Sequence, residues 1–226
     1  MNKVLKRSGF FANVISKDFK GLFSPKTKAV EIEKNDINEP VTSGALRRLP
    51  WLVILLILGT GVSATVGAFE SVLAQLPVIM CFQSLILDMA GNVGTQSLAV
   101  AIRVLMDKEV GFKKKLKLVI KECNIGLVNG VILGILSFVI IGVYLSVTQN
   151  EVRFAFSVSA CLGVAMVVAM TVSSFAGTII PVAFQKVGID PAVASGPLIT
   201  TVNDLVAVVT YYGISWLILI HFMHLG

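Results

Sequence analysis

Charge is scarce in this sequence. Only 14% of its 226 residues are Asp, Glu, Lys or Arg, while 55% are hydrophobic and the mean hydropathy is +0.86. Soluble domains usually carry about a quarter charged residues, so the composition points to the bilayer rather than to an ordinary soluble fold. Cysteine and histidine are also scarce. Cys81, Cys123 and Cys161 show no CxxC spacing and lie in or beside apolar segments, which gives neither a disulfide framework nor a zinc site and reads as small apolar packing. His221 and His224 stand close together near the C-terminus without an evident third ligand. No GxSxG, HExxH or Walker pattern is found, and no serine, histidine and acid group suggests hydrolysis, so an enzyme is not expected and no cofactor is implied.

What the chain has in abundance is long apolar runs. A helix of roughly 20 apolar residues spans the hydrocarbon core. Such runs recur from Leu52 onward and place five spans at about 51–69, 77–105, 123–148, 153–181 and 198–222. The expected fold is an all-α integral membrane protein with two parts: a basic, partly amphipathic segment and linker over 1–49, and a five-helix membrane domain over 50–226. The first segment interleaves Lys3, Lys6, Arg7, Lys17 and Lys20 with Phe10, Phe11, Val14, Ile15 and Phe19, without the apolar core and cleavage site of a signal peptide. Trp51 sits where an interfacial tryptophan belongs. Glycines such as Gly59 with Gly61, and Gly126 with Gly130 and Gly134, fit close helix packing in lipid.

Lysine and arginine cluster by loop. Ten of the nineteen lie in 1–50 and seven in 103–121, against Arg153 and Lys186 elsewhere. The positive-inside rule then puts the N-terminus and the loop over 106–122 in the cytoplasm and the C-terminus outside, in a multi-pass plasma (inner) membrane protein. The same rule accounts for the net charge of +6 and for the run Lys113, Lys114, Lys115, so nucleic acid is not an expected partner and membrane lipid is. Arg103 reads as a snorkelling interfacial charge. An odd span count argues against an inverted repeat within one chain, so a pore on a symmetry axis would need a second copy.

Acids inside spans are costly and mark function. Of thirteen acidic residues, Asp88 and Asp204 fall well inside, and Glu70 lies at the outer end of the first span. Asp88, Asn92 and Gln96 recur at four-residue spacing on one helical face, with Thr95 and Ser97 adjoining. In the last span Thr200, Thr201 and Asp204 make a second polar patch, which Asn203 borders or turns away from. At 1.5 Å per residue Asn92 lies roughly 22 Å from the outer side and Asp204 roughly 21 Å, so the two patches can face each other. Carboxylates among amide and hydroxyl oxygens suit a hard cation, and few acids with many neutral oxygens suit magnesium held through its waters. The competing reading is interhelical hydrogen bonding by the same groups.

The elements LPW at 49–51, FE at 69–70, LDMAGNVGTQS at 87–97, DPAVASGP at 190–197 and TTVND at 200–204 closely resemble, in order, the transmembrane domain of MgtE-type magnesium channels, over about 46–222. The resemblance implies a homodimer of five-helix subunits with the pore lined by the second and fifth spans of both. Asp204 would hold hydrated Mg2+, with Asn92, Gln96 and backbone near Thr200 assisting; Mn2+, Co2+ and Ni2+ are further candidate ions. Ala90 stands where such sequences often have another glycine. Members typically carry an N-terminal domain and paired CBS domains that sense magnesium, where this sequence has 49 residues before the first expected span, so a remnant connecting helix or a separate regulatory protein is the expectation. Two other readings stay open: an ion-coupled (Na+ or H+) secondary transporter with Asp88 as the coupling site, and a non-transporting scaffold or regulatory subunit.

Overall fold

The computed structural model describes residues 40–106, 110–188 and 191–222; the side chains of Arg47, Trp51, 191–197 and Phe222 are not described. Residues 1–39 of the basic, partly amphipathic segment and linker expected over 1–49, the acid Asp190 and His224 lie outside the described residues, as do the side chains of Trp51 and of 191–197.

All described elements are helical: α1 (Val41–Ala68), the short α2 (Glu70–Gln75), α3 (Val78–Leu105), α4 (Phe112–Gln149), α5 (Val152–Val187) and α6 (Pro191–Ser215), which runs on as a π-helix over Trp216–Phe222. α3, α4, α5 and the stretch Leu198–His221 are each long and apolar enough to cross a membrane. α1 becomes a fifth crossing if its two halves count as one span, since Val41–Pro50 and Leu52–Ala68 meet at 45°. Pro50 explains the bend: its ring removes one backbone donor and clashes with the turn before it.

Several bounds differ from those read off hydropathy. α4 begins at Phe112 rather than 123, because Lys113, Lys114, Lys115, Lys117 and Lys121 lower the hydropathy of a stretch that still favours helix. α5 continues past the buried Pro181 to Val187. Residues 70–75, expected as a bare connection, form α2.

α5 is the central element. It packs against α3, α4 and α6; α3 also packs on α6, and α1 rests on α6. In lipid the hydrophobic effect between helices is absent, so association depends on close contact and interhelical hydrogen bonds. Both are present. Gly126, Gly130 and Gly134 lie one turn apart against α5, and at Gly134 an added Cβ would come within 2.9 Å of the Gly163 carbonyl oxygen. Gly59 and Gly61, by contrast, have open space around them. Tyr211 Oη donates to the Ile79 carbonyl at 2.9 Å and Tyr212 Oη to Gln83 Oε1 at 2.5 Å, which ties α6 to α3. Further along α3, Ser97 Oγ and Ser174 Oγ lie 2.6 Å apart, and Ser174 Oγ donates to the Glu122 carbonyl at 2.6 Å, linking α3, α5 and α4.

A candidate cation cleft between α3 and α6

One side of α3 is not covered by any other described helix. Ser84, Asp88, Asn92, Thr95 and Ala99 are all exposed and follow one another at spacings of three or four residues, which is one helical face. Beside it runs α6, and between them lies a cleft of about 800 Å³. Asp88, Asn92 and Thr95 line it from α3, Thr200 and Asp204 from α6. Gly91, with nothing within 4 Å of the place a Cβ would take, leaves its backbone open to the same space.

Local sequence explains why these groups gather. Gly94 presses against Asn203 so tightly that a Cβ would lie 2.0 Å from Asn203 Nδ2, and a Cβ on Gly177 of α5 would lie 2.2 Å from the Gly94 carbonyl oxygen. Three helices therefore meet at Gly94, two residues beyond Asn92 and beside the neighbour of Asp204. The glycines let α6 approach α3 where the polar groups stand. Thr95 Oγ1 donates back to the Gly91 and Asn92 carbonyls at 3.0 Å, so its hydroxyl oxygen keeps lone pairs for the cleft.

Of the residues singled out in the sequence, Asp88, Asn92, Thr200 and Asp204 come together. Gln96 does not share that cleft; it lines a neighbouring recess of about 350 Å³ that meets the first at Asn92. Thr201 is half-buried and lines neither. Asn203 is turned away from the cleft and fully buried, and neither its Nδ2 nor its Oδ1 has a hydrogen-bond partner. Its role in this structure is to fill the Gly94 notch rather than to face an ion. Glu70 begins α2 and is exposed.

Sequence reasoning missed Glu122. Hydropathy placed it in a connection, yet it is buried on the face of α4 that meets α5. The signal was its register: Glu122 precedes Gly126, Gly130 and Gly134 at the same four-residue step.

The cleft offers two carboxylates and otherwise amide, hydroxyl and backbone oxygens. Among the described residues no group of three or more His, Cys, Asp or Glu side chains gathers to hold a metal ion. Oxygen donors with little charge favour hard cations, and a wide cleft leaves room for an ion that keeps its water.

The family model for MgtE, described as a divalent cation transporter, matches residues 83–214. The chain belongs to the MgtE family. Relatives named magnesium transporter MgtE include that of Enterococcus faecalis, 37% identical over 192 residues, 85% of this chain and 41% of the relative. That of Bacillus subtilis is 36% identical over 171 residues, 76% of this chain and 36% of the relative. That of Thermus thermophilus is 29% identical over 174 residues, 77% of this chain and 37% of the relative. The chain thus spans well under half the length of the MgtE relatives it matches. The stretch matched by the family model contains both walls of the cleft, from Ser84 to Asp204.

Proposed function

We propose that this chain moves hydrated Mg2+ across the membrane through a dimeric pore lined by α3 and α6 of both copies. The observation that carries the reading is the uncovered polar face: Asp88, Asn92 and Thr95 are exposed on a helix that crosses the membrane, with Asp204 beside them. A carboxylate facing hydrocarbon costs several kcal/mol or more, so such a face is closed by protein or by water. A second copy related by a two-fold axis closes it with its own identical face and doubles the carboxylates around a central path. The names of the relatives support magnesium as the cargo.

In this reading Asp204 from each subunit draws the ion, while Asp88, Asn92 and Thr200 accept hydrogen bonds from its waters. Because Mg2+ need not shed its shell, the path is wide rather than a close cage. α1, with its halves joined at Pro50, makes the fifth crossing, which leaves the N-terminal side and the α3–α4 connection in the cytoplasm. No catalytic chemistry is involved.

Cross-linking tests the arrangement. With the exposed Cys81 replaced by serine, Thr95→Cys should form an oxidised dimer in native membranes, whereas Ile135→Cys on the far face of α4 should not. Dimers through Ile135 and none through Thr95 would refute it.

A second reading has its own observation. Asp88 lies in the same cleft as Asp204, and a second carboxylate can carry a coupling proton or sodium ion. Uptake that requires an imposed proton or sodium gradient, and ignores membrane potential alone, would select that coupled transporter. A scaffold would keep its function when Asp204 becomes alanine.

A further inference from the structure

α3 and α4 hardly touch; both lie against α5, and the space between them is a groove. A recess on α4 alone leads into two that lie along this groove. The first, about 580 Å³, is formed by one face of α4, with Lys117 and Lys121 above Asn124 and the apolar Ile125 and Val128. The second, about 350 Å³, shares Asn129 with the first and adds Asn92 and Gln96 from α3. The third, about 250 Å³, shares Met89 and Leu133 with the second and is walled by Leu136, Ile140 and Met166. The one hydroxyl there, Ser137 Oγ, donates to the Leu133 carbonyl of its own helix at 2.5 Å, so this end is effectively hydrocarbon.

From Lys121 to Leu133 this face runs roughly 18 Å along α4, about the depth of one leaflet with part of its headgroup region. Its polarity changes along that length as the polarity of one lipid molecule does. Two ammonium groups come first, one turn apart on the same face, with no acidic side chain among the described residues that line the recess. Amide donors follow one to two turns further along α4, and an effectively apolar trough comes last. Flexible methionines, Met89 and Met170 in the middle and Met166 below, form part of the lining and can adapt to an acyl chain.

We infer that the α3–α4 groove binds an anionic phospholipid, its phosphate on Lys117 and Lys121 and one acyl chain laid over Leu133 toward Ile140. Charge complementarity selects the anionic headgroup: a zwitterionic lipid offers the same chain but no net charge to the two lysines. Lys113 and Lys114 continue the same face one turn before Lys117, whereas Lys115 stands on the opposite side of α4. Asn92 lines both the lipid groove and the cation cleft, so an occupant of the groove borders the ion path directly.

The test reads lipid rather than transport, and so stands apart from the magnesium reading. The full chain is reconstituted in vesicles of equal parts phosphatidylglycerol and phosphatidylcholine, extracted in mild detergent, and the lipid that stays bound is quantified by mass spectrometry. The native chain should retain phosphatidylglycerol in clear excess. Lys117→Gln with Lys121→Gln should lower that preference about tenfold or more, taking each lysine's attraction for anionic lipid as the guide. Lys115→Gln should leave it within about twofold, since this charge stands on the far side of α4 and acts only through the screened surface field. Leu133→Trp, which fills the lower trough and leaves every lysine in place, should also release the lipid. Equal retention of both lipids by the native chain would overturn the inference, as would an equal loss in the Lys115 variant. Val128→Cys forming a disulfide to a second copy in native membranes would also overturn it, because the groove would then be covered by protein.

Discussion

The junction of α3, α5 and α6 at Gly94 lends itself to a quantitative test. In Gly177→Ala the new Cβ would lie 2.2 Å from the Gly94 carbonyl oxygen, where contacts below 3.0 Å are essentially never found, so α3 and α5 must separate by at least about 0.8 Å. The obstacle is backbone, which no rotamer change relieves. Overpacking of this kind costs typically 1–3 kcal/mol, a rigid backbone obstacle puts it at the upper end, and alanine returns about 1 kcal/mol through its better helix propensity, which leaves a net loss of about 2 kcal/mol. Gly94→Ala meets a different obstacle, the side chain of Asn203 at 2.0 Å. Asn203 is fully buried and its amide has no hydrogen-bond partner, so its truncation to alanine removes an orphaned polar group as well as the clash. Asn203→Ala should therefore rescue Gly94→Ala and not Gly177→Ala. The assay is thermal unfolding of the detergent-solubilised protein for all single and double variants. The cycle should give a coupling above about 1 kcal/mol for Gly94 with Asn203, and close to none for Gly177 with Asn203. Undiminished stability in Gly177→Ala, or equal rescue of both glycine variants, would refute this packing.

Three further outcomes follow. Gly91→Ala, where a Cβ meets nothing within 4 Å, should leave thermal stability unchanged or slightly raised while lowering magnesium uptake, because the methyl group projects into the cleft; a large loss of stability would contradict the open geometry. Tyr211→Phe removes the donor to the Ile79 carbonyl and should lower stability by about 0.6–1.5 kcal/mol, measured by thermal unfolding, with uptake little changed. Gly163→Val should be far more damaging, since even a Cβ there lies 2.8 Å from the Gly134 carbonyl oxygen; thermal unfolding unchanged from the native chain would show that α4 and α5 do not meet at these glycines.

Much of this arrangement is legible in the sequence, and the exceptions have physical causes. Four-residue spacing placed Asp88 and Asn92 on one face, and a depth count set Asn92 level with Asp204; the cleft holds all three. Gln96 shares that spacing but belongs to the neighbouring recess, since a helix of 3.6 residues per turn drifts about 40° for each step of four. The facing of Asn203 could not be read from α6 alone, because it is decided by a notch at Gly94 on another helix. Hydropathy misplaced the start of α4 for a plain reason. Lys113 to Lys121 are charged, but lysine is a good helix former, and only a bilayer-based window treats charge as an end of helix. The same window hid Glu122, whose burial is set by α5 packing onto its face. The glycines divide likewise: Gly126, Gly130 and Gly134 find a partner helix within the chain, while Gly59 and Gly61 face open space.

The central claim is that magnesium passes by Asp204. The most direct measurement is magnesium influx into proteoliposomes loaded with a magnesium-sensitive dye, for the native chain and Asp204→Ala, with and without a negative-inside potential. A dication gains about 4.6 kcal/mol per 100 mV, so influx through the native chain should rise steeply with potential and vanish in Asp204→Ala while the dimer remains assembled. Potential-driven influx that persists in Asp204→Ala would contradict the account.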